Sequence, residues 1–341
     1  MQHVSTSEPR IAAIIPCYNE EAAIQTVVND LRAAVPGMDL IVYDNNSTDE
    51  TARVAREAGA EVRFEGRKGK GNVVRRAFAD VDADIYLLID GDDTYDAAAA
   101  RQLIDTLVDG HYDQVLGVRR QASDSPSAYR PGHETGNRLF NRLVGWLFGD
   151  PVSDMLSGYR VFSKRFVKSF PALSREFEIE TELTVHSMSM RVPQTEVEVG
   201  FKDRPEGSES KLRTYHDGFR ILWLIVELLR HERPFLFYSL FSALFVAIGL
   251  GLGIPVIVDF AATGEVERFP TAILASSFVL LGFLALMVAL ILDGLLRSRR
   301  EAMRLEYMRW PAVGTWRSSD TASTGSSDTT STERPAASPT E

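Results

Sequence analysis

Cysteine and a surplus of positive charge are the two features this sequence most clearly lacks. Cys17 is the single cysteine among 341 residues, so no disulfide can form within the chain, and no residues have the spacing of a zinc site. Acidic residues outnumber basic ones by 47 to 37, giving a formal net charge of −10. This balance argues against a general nucleic-acid binder, because affinity for phosphates requires a basic surface.

A secretory signal is also missing from the N-terminus. Residues 1–10 are polar and are interpreted as a short tail, and the apolar run that follows them is short and ends at Pro16. We therefore expect the N-terminal part of the chain to stay in the compartment where it is made.

Short apolar runs alternate with amphipathic segments between residues 11 and 120. Strands are predicted at 11–18, 39–45, 60–66, 83–90 and 112–118, with a helix after each of the first four. This order predicts an α/β domain with a doubly wound, mostly parallel sheet. Ligands bind such sheets at the carboxyl ends of the strands. The loops at 16–20, 43–49, 67–71, 90–96 and 119–120 should therefore converge on one crevice.

The chain beyond residue 120 is less regular and then becomes strongly apolar. Helices are predicted at 135–148 and 177–190, a strand at 195–201, and an amphipathic interfacial helix at 216–233. Residues 235–258 and 271–292 carry no charge. At 1.5 Å per residue the first run is roughly 36 Å long, more than a hydrocarbon core of about 30 Å. We predict transmembrane helices at 234–259 and 270–293.

The distribution of basic residues predicts the orientation of this hairpin. Basic side chains flank its outer ends at positions 230, 233, 297, 299 and 300, whereas the loop between the runs has only Arg268. The positive-inside rule then places the N-terminal domain and the C-terminus in the cytoplasm of a two-span integral membrane protein. Residues 311–341 are rich in Ser, Thr and Pro and are predicted to be disordered.

Four carboxylates stand close together in the segment DGDDTYD, residues 90–96, directly after a predicted buried strand. Their mutual repulsion requires a compensating cation or hydrogen-bond donors. Asp90 and Asp92 form a D-x-D pattern whose hard oxygens suit Mg²⁺ or Mn²⁺, with substrate phosphates filling the other coordination positions. An acidic, solvated turn that caps the next helix is the alternative that this segment alone leaves open.

Seven motifs in order resemble one family. They are IIPCYNEE (14–21), YDNNSTDET (43–51), GRKGKGNVVR (66–75), DGDD (90–93), DMLSGYR (154–160), FEIETEL (177–183) and RPEGSESKL (204–212). Together they resemble the family 2 glycosyltransferases, and more narrowly the polyprenol-phosphate hexosyltransferases, the dolichol-phosphate mannose synthase-like group. The resemblance runs from about residue 11 to 215 and extends to the membrane hairpin that some members carry.

The resemblance implies a GT-A fold over residues 11–215 that transfers a hexose from UDP or GDP to dolichyl or undecaprenyl phosphate with inversion. Such enzymes serve cell-envelope glycan or protein glycosylation. The implied donor-binding residues are Pro16, Tyr18, Asn19, Glu20, Asp44, Lys70, Asp90, Gly91 and Asp92, and the metal ligands for Mg²⁺ or Mn²⁺ are Asp90 and Asp92. The predicted catalytic residues are Asp92, Asp154 and Arg119, and the predicted phosphate- or acceptor-binding residues are Arg119, Arg160, Arg204 and Lys211. A solvated surface position is the alternative for Arg119 and Arg204.

The sequence departs from the family pattern at two places. Asn45 and Asn46 stand in DNNS where DDGS is commoner, which leaves the identity of the base open. Thr94 occupies a position where the archetype has a further polar group beside the metal, and a hydroxyl is a poorer ligand than an amide or a carboxylate. Thr94 is therefore not assigned to the metal.

The expected chemistry needs positive charge more than a strong base. A phosphate monoester is already anionic near neutral pH, so the acceptor needs little deprotonation. The cation and the arginines would instead stabilise the leaving diphosphate. Asp154 is expected either to orient the acceptor or sugar or to cap its own loop. Residues between Arg204 and Lys211 have the composition of a closing lid.

Other functions remain open at this stage. A processive polysaccharide synthase would carry Q-x-x-R-W before its spans, whereas EYMRW, residues 306–310, follows both runs and lacks the glutamine. Transfer to another lipid- or glycan-linked acceptor and a catalytically degenerate GT-A membrane scaffold are further alternatives. The expected partners are a nucleotide sugar, polyprenyl phosphate and membrane lipid, without nucleic acid. The sequence does not determine the sugar or whether the chain forms a homo-oligomer.

Overall fold

The computed structural model describes residues 8–121, 153–173, 179–202, 226–227 and 229–314. The predicted helix at 135–148, most of the predicted interfacial helix at 216–233, Arg204 and Lys211 lie outside the described residues. So do positions 1–7 and 315–341.

Seven strands form one mixed, mostly parallel sheet, as the sequence predicts. The strands are β1 (Ile11–Cys17), β2 (Asp39–Asp44), β3 (Glu61–Phe64), β4 (Ile85–Leu88), β5 (Gln114–Gln121), β6 (Arg160–Ser163) and β7 (Gln194–Phe201). Their order across the sheet is β3-β2-β1-β4-β6-β5-β7. Only β6 runs against its neighbours among these strands, pairing antiparallel with β4 and β5. The carboxyl ends of the other six strands therefore meet at one edge, called here the catalytic edge.

Eight α-helices are described around this sheet. They are α1 (Ile24–Ala34), α2 (Thr51–Glu57), α3 (Lys70–Asp80), α4 (Ala100–Asp109), α5 (Lys164–Ser169), α6 (Ile179–Met190), α7 (Pro234–Thr263) and α8 (Phe269–Met308). A short 3₁₀ helix, Ala97–Ala99, precedes α4. Alternate residues of β1 point to opposite faces: Ala13 and Ile15 join the core with α1, α2 and α4, whereas Ala12 and Ile14 join the core with α3, α5, α6 and the end of α8.

Strand β6 and helix α5 have no counterpart in the sequence prediction. All four residues of β6, RVFS, are buried, so the strand lacks the alternation of polar and apolar residues that marks a half-buried strand. Arg160 and Ser163 are also polar residues within a buried strand. Because β6 was not predicted, the antiparallel strand that it inserts between β4 and β5 was not predicted either.

Helices α7 and α8 pack against each other as a hairpin and are long and apolar enough to cross a membrane. Their buried positions recur every seven residues, at Ser242, Gly249 and Val256 on α7 and at Ala275, Gly282 and Ala289 on α8. A Cβ on Gly249 would lie 2.7 Å from Val279 Cγ2 and 2.9 Å from the carbonyl oxygen of Ala275. Glycine is therefore required for the backbones to approach this closely.

Helix α8 extends well past the predicted span end at 293 and docks on the soluble domain. The Tyr307 hydroxyl donates to Asp113 Oδ2 at 2.6 Å. Asp113 is fully buried and also pairs with Arg165, through Nε at 2.5 Å and Nη2 at 2.7 Å. Val313, which the prediction placed in the tail, is 3% exposed and packs in the core, so the predicted tail begins too early at 311.

Tyr307→Phe should weaken this dock. The change leaves one oxygen of a buried carboxylate short of a donor, which should lower the free energy of unfolding by about 1–2 kcal/mol. Urea denaturation of the full chain in detergent, followed by circular dichroism, measures the change. Arg297→Gln is the control on the same helix, because its exposed pair with Asp293 should contribute less than about 0.5 kcal/mol. Equal stability of the Tyr307 variant and the parent would contradict this account of the dock.

His186 should make the domain sensitive to acid. It lies buried between Phe166 and Phe170, beside Ser169 Oγ, and burial, with the charge of Arg299, lowers its pKa to about 4. The unfolded chain, with a histidine pKa near 6.5, binds the proton first, so stability falls as the pH drops from about 6.5 towards 4. Between pH 7 and 5 the loss from this group should be about 2 kcal/mol. Denaturation at both pH values should show a smaller difference in His186→Gln than in the parent.

Candidate active site

Loops from three parallel strands meet at the catalytic edge, and each contains a residue with a left-handed backbone. These residues are Asn19 after β1 (φ 57°), Asn46 after β2 (φ 66°) and Asp93 after β4 (φ 53°). Asn and Asp adopt this conformation more readily than other residues with a Cβ, yet it still costs free energy. Such strain is common at functional sites, and three of the six described non-glycine residues with positive φ lie in these loops.

The loops after β1 and β2 are held together by reciprocal hydrogen bonds. The Asn19 backbone N–H donates to Ser47 Oγ at 3.0 Å, and Asn19 Oδ1 accepts from the Thr48 N–H at 2.8 Å. The Glu20 N–H donates to Thr51 Oγ1 at 2.8 Å. Asp44, which is 8% exposed, accepts from the Ser47 N–H. Of the predicted donor-binding residues, Asn19, Glu20 and Asp44 are thus brought together.

Two other predicted donor-binding residues lie on or beside β1. Pro16 is within the strand, opposite Tyr43 of β2. Tyr18 follows the strand, and Lys68 Nζ lies 5.8 Å from the centre of its ring. Both residues therefore border the same crevice.

Asn45 explains the departure from the commoner DDGS pattern. Its side-chain nitrogen donates to the carbonyls of Glu65, at 2.9 Å, and Arg67, at 2.7 Å, while its Oδ1 accepts from the Gly69 N–H at 2.7 Å. An aspartate could not donate to two carbonyls. Asn45 therefore ties the end of β2 to the loop that begins α3 at Lys70.

Acidic residues after the first, second and fourth strands are near enough to the buried Cys17 to affect its pKa. Burial raises the pKa of the Cys17 thiol well above its ordinary value, and Glu20, Asp90, Asp44 and Asp92 raise it further. The D-x-D carboxylates therefore lie beside the mouth shared with β1 and β2. A Cβ on Gly91 would collide with Cys17 Sγ, so glycine is needed where the β4 loop crosses the end of β1.

The two D-x-D carboxylates have different surroundings. Asp92 is buried, and its Oδ1 accepts from the Thr94 hydroxyl at 2.6 Å and from the Thr94 N–H at 3.3 Å. The Asp90 side chain is 30% exposed and forms an ion pair with Lys70 Nζ. Thr94 thus orients Asp92 by hydrogen bonding, which is a supporting role.

Lys70 is buried between two carboxylates. It pairs with Asp90 and, at 2.6 Å, with Glu180 Oε1 at the start of α6. Burial lowers the pKa of Lys70, but the two carboxylates outweigh burial and the net effect raises the pKa, so the ammonium stays charged. Burial raises the pKa of Glu180, opposed by the charge of Lys70. Glu180 was not among the predicted site residues, although the FEIETEL motif contains it.

The loop before β6 closes against the same group. A Cβ on Gly158 would lie 2.5 Å from Asp90 Oδ2 and 2.8 Å from Lys70 Nζ. The Gly158 N–H donates to the Tyr95 hydroxyl at 2.9 Å, and Ser157 Oγ donates to the Gly117 carbonyl at 2.5 Å. The SGYR segment is therefore part of the crevice wall.

Asp154 and Arg119, both predicted to be catalytic, form a bidentate pair. Arg119 Nε and Nη2 each donate to the Asp154 carboxylate at 2.7 Å. The Asp154 side chain is 8% exposed, whereas that of Arg119 is 31% exposed and lies over the ring of Phe201. The pair holds a partly exposed guanidinium at the end of β5, where a phosphate could reach it.

Arg160 does not reach the crevice as an acceptor-binding residue would. The side chain is fully buried, and its guanidinium donates to the carbonyls of Ser157 and Met155 and to Thr184 Oγ1, at 2.9, 2.7 and 2.8 Å. Burial lowers the pKa of Arg160 to about 10, which still leaves it charged at neutral pH. Its contacts support a structural role in holding the loop before β6, in place of the predicted contact with the acceptor.

The charge at the end of β4 suits a divalent cation. Asp90 and Glu180 pair with Lys70, and Asp93 lies 3.5 Å from Lys202. Glu180 Oε2 is buried without a hydrogen-bond donor among the described residues, and the buried Asp93 Oδ1 has the ion pair with Lys202 but no hydrogen bond among them. That part of the chain contains no cluster of three or more metal-ligating side chains, so a cation would need oxygens from a substrate as well. The donor set fits Mg²⁺ or Mn²⁺.

Comparison with known proteins connects this geometry to a family. The model of the family described as "Glycosyl transferase family 2" matches residues 12–170. Glycosyltransferase AglJ of Haloferax volcanii is 32% identical over 295 residues, which cover 86% of this chain and 96% of AglJ. The dolichyl-phosphate hexose transferase of the same organism is 29% identical over 225 residues, which cover 65% of this chain and 95% of that protein.

Solved structures share the fold. Glucosyl-3-phosphoglycerate synthase of Mycobacterium tuberculosis, in complex with Mn²⁺, UDP and phosphoglyceric acid, has a TM-score of 0.54 at 23% identity, covering 65% of this chain and 78% of that one. This likeness confirms the predicted GT-A fold. Because AglJ is matched over nearly its whole length at more than 30% identity, the chain belongs to the family 2 glycosyltransferases and is a glycosyltransferase.

Proposed function

We propose that this protein transfers a hexosyl group from a nucleotide sugar to polyprenyl phosphate at the cytosolic face of a membrane. The observation that carries the choice of acceptor is the docking of α8 on the soluble domain beside α6. From this docking we infer that the crevice lies level with the point where the uncharged part of α8 ends.

Helix α6 relates the crevice to α8. Its first turn contains Glu180, which contacts Lys70 in the crevice, and the carbonyl of its last residue, Met190, accepts a hydrogen bond from Arg304 at 3.2 Å. Met190 follows Glu180 by ten residues of α6, which is a rise of about 15 Å. Arg304, beside Met190, therefore lies about 15 Å along α6 from the crevice, towards the start of β7 at Gln194.

We infer that α8 runs in the same direction as α6. Arg304 donates to the carbonyl of Met190 at the end of α6, and Arg299, five residues earlier in α8, is near enough to His186, four residues earlier in α6, to affect its pKa. Counting back from Arg304, Asp293 lies about 17 Å nearer the hairpin, which is level with Glu180. Asp293 is also the first charged residue after the uncharged run 271–292. The crevice thus opens at the height where a bilayer surface would lie, within reach of a phosphate whose prenyl chain stays in the lipid.

The relatives and the charge distribution support the remaining parts of the proposal. One relative is named a dolichyl-phosphate hexose transferase, and the basic residues at the outer ends of the hairpin favour a cytosolic catalytic domain. The donor is a UDP- or GDP-hexose, since neither the Asp44 loop nor Asn45 distinguishes the two bases.

The main catalytic effect in this mechanism is the stabilisation of negatively charged phosphates by positive charge. A divalent cation, held by Asp90 and Asp92, would neutralise the leaving nucleoside diphosphate. Arg119, oriented by Asp154, would hold the acceptor phosphate or the departing phosphates, and Lys70 holds Asp90 in place. The acceptor oxygen is anionic and attacks the anomeric carbon directly, with inversion. Asp154 is committed to Arg119, so it positions that guanidinium. Arg204 and Lys211 are proposed to add charge when the substrate is bound.

Asp92→Asn should abolish most of the transfer. The amide keeps the shape of the side chain but removes the charge that a cation requires, and we expect a loss of more than about 100-fold in kcat. Transfer is measured with membranes containing the full chain, labelled UDP- and GDP-hexoses and polyprenyl phosphate. Asp96→Asn is the matched control, because Asp96 caps the short helix before α4 and asparagine caps equally well. Full activity of Asp92→Asn would refute the metal role.

The proposed acceptor can be tested with the parent protein. Label from a nucleotide hexose should pass to polyprenyl phosphate and become extractable into organic solvent, and a polyprenol without its phosphate should accept none. Transfer of label only to a water-soluble or glycan acceptor would refute polyprenyl phosphate as the acceptor. Failure to bind any nucleotide diphosphate in the presence of Mn²⁺ would favour a degenerate scaffold.

A further inference from the structure

Two leucines on the rim of the crevice are exposed to solvent although both are large and apolar. Leu156 is 43% exposed and Leu173 is 59% exposed. Phe64, at the end of the outer strand β3, is the one other large apolar side chain that is so exposed in the described part of residues 8–202. A single exposed leucine needs no explanation, but these two are held outward by specific contacts.

Arg160 fixes the exposure of Leu156. Its guanidinium binds the carbonyl of Met155 on one side and the carbonyl of Ser157 on the other. Met155 and Ser157 are fully buried. Because the backbone is anchored on both sides, the Leu156 side chain cannot turn inward. The buried arginine that the sequence assigned to the acceptor thus presents an apolar side chain beside the crevice.

Leu173 is presented in a comparable way. The preceding residue, Ala172, is buried in a left-handed conformation with φ 45°, which is costly for a residue with a Cβ. The Leu173 N–H donates to both carboxylate oxygens of Glu182, at 2.9 and 3.1 Å. Glu182 lies in the first turn of α6, two residues from Glu180 in the crevice. Leu173 is therefore held at the catalytic edge.

In the proposed membrane placement, both leucines lie at the height where the uncharged part of α8 ends. Gly158, two residues after Leu156, packs against Asp90 and Lys70, and the clamp on Leu173 is in the same turn of α6 as Glu180. In that placement, Glu180 on α6 is level with Asp293 on α8. The rim and the end of the apolar hairpin would therefore lie at the same level.

We propose that Leu156 and Leu173 insert into the bilayer interface and seat the mouth of the crevice on the membrane. Burial of two leucines in lipid supplies a favourable free energy that a solvated rim would not. The occupant of this surface is the lipid bilayer. The inference rests on the membrane placement within the proposed function, and it is independent of which sugar or acceptor the enzyme uses.

Spin labels on the full chain in vesicles test this contact directly. Leu156→Cys and Leu173→Cys are labelled separately and reconstituted into phosphatidylethanolamine and phosphatidylglycerol vesicles. The native Cys17 is 2% exposed and should stay unlabelled, which the parent protein checks. Collisions with oxygen, which concentrates in lipid, are compared with collisions with a water-soluble nickel chelate.

Two further leucines of α8 calibrate the depth. Leu281→Cys, 47% exposed in the uncharged run, should report lipid, and Leu305→Cys, 63% exposed beside Arg304, should report water. We expect labels at 156 and 173 to lose most collisions with the nickel chelate relative to 305. The proposal is overturned if they collide with the chelate as often as the label at 305 does, even when the label at 281 reports lipid. A label at 281 that reports water would overturn the membrane placement itself and the rim with it.

A functional measurement separates the rim from the chemistry. Leu156→Gln and Leu173→Gln leave every charged group of the crevice in place, so nucleotide binding with Mn²⁺ should be unchanged. Transfer to long-chain polyprenyl phosphate in vesicles should fall by about 3- to 10-fold, because part of a leucine's burial free energy is lost. Transfer at the parent rate by both variants would argue against the rim even if the proposed reaction is correct. Absence of transfer in the parent would refute the reaction and leave the spin-label result to decide the rim.

Discussion

Repulsion between carboxylates at the catalytic edge is the constraint around which the site is built. Glu20, Asp44, Asp90 and Asp92 all raise the pKa of Cys17, the last residue of β1, and close negative charges in a partly buried crevice are costly unless they are compensated. Part of the compensation is internal, through Lys70 between Asp90 and Glu180. The hydrogen bonds to Asp44 and Asp92 supply another part. The remaining negative charge is what would attract a divalent cation with its nucleotide sugar.

The loops around these acids owe their shape to polar side chains that bind backbone groups. Asn45 joins the β2 loop to the start of α3, and Arg160 joins the two sides of the loop before β6. Each of these side chains is buried and has several partners. Their contribution is to fix the positions of Lys70 and Gly158, which touch Asp90. The crevice is therefore preorganised by residues that need not contact a substrate.

Several features could be predicted from the sequence because they depend on local patterns. Strands β1 to β5, their helices and the two uncharged runs have clear periodicity or length, and the edge at which ligands bind follows from the parallel order. The pairing of Lys70 with Glu180 was not predictable, because the two residues are far apart in the chain and meet through the packing of α3 and α6. The role of Arg160 was interpreted wrongly, since a motif gives residue identity but not burial. Strand β6 was not predicted because it is buried on both faces. The docking of residues 303–314 was not predicted because their partners are distant in sequence.

Helix α8 is a single unbroken helix of 40 residues, so one rigid element extends from within the apolar hairpin to the far edge of the sheet. In the proposed membrane placement, its length between Asp293 and Arg304 would set the height of the domain above the lipid. Insertion of one residue there would advance the docking end by about 1.5 Å and turn it by about 100°, carrying Tyr307 away from Asp113. An insertion of seven residues would nearly restore the facing side but would raise the crevice by about 10 Å. Evolution of this segment should therefore tolerate substitutions far better than changes in length.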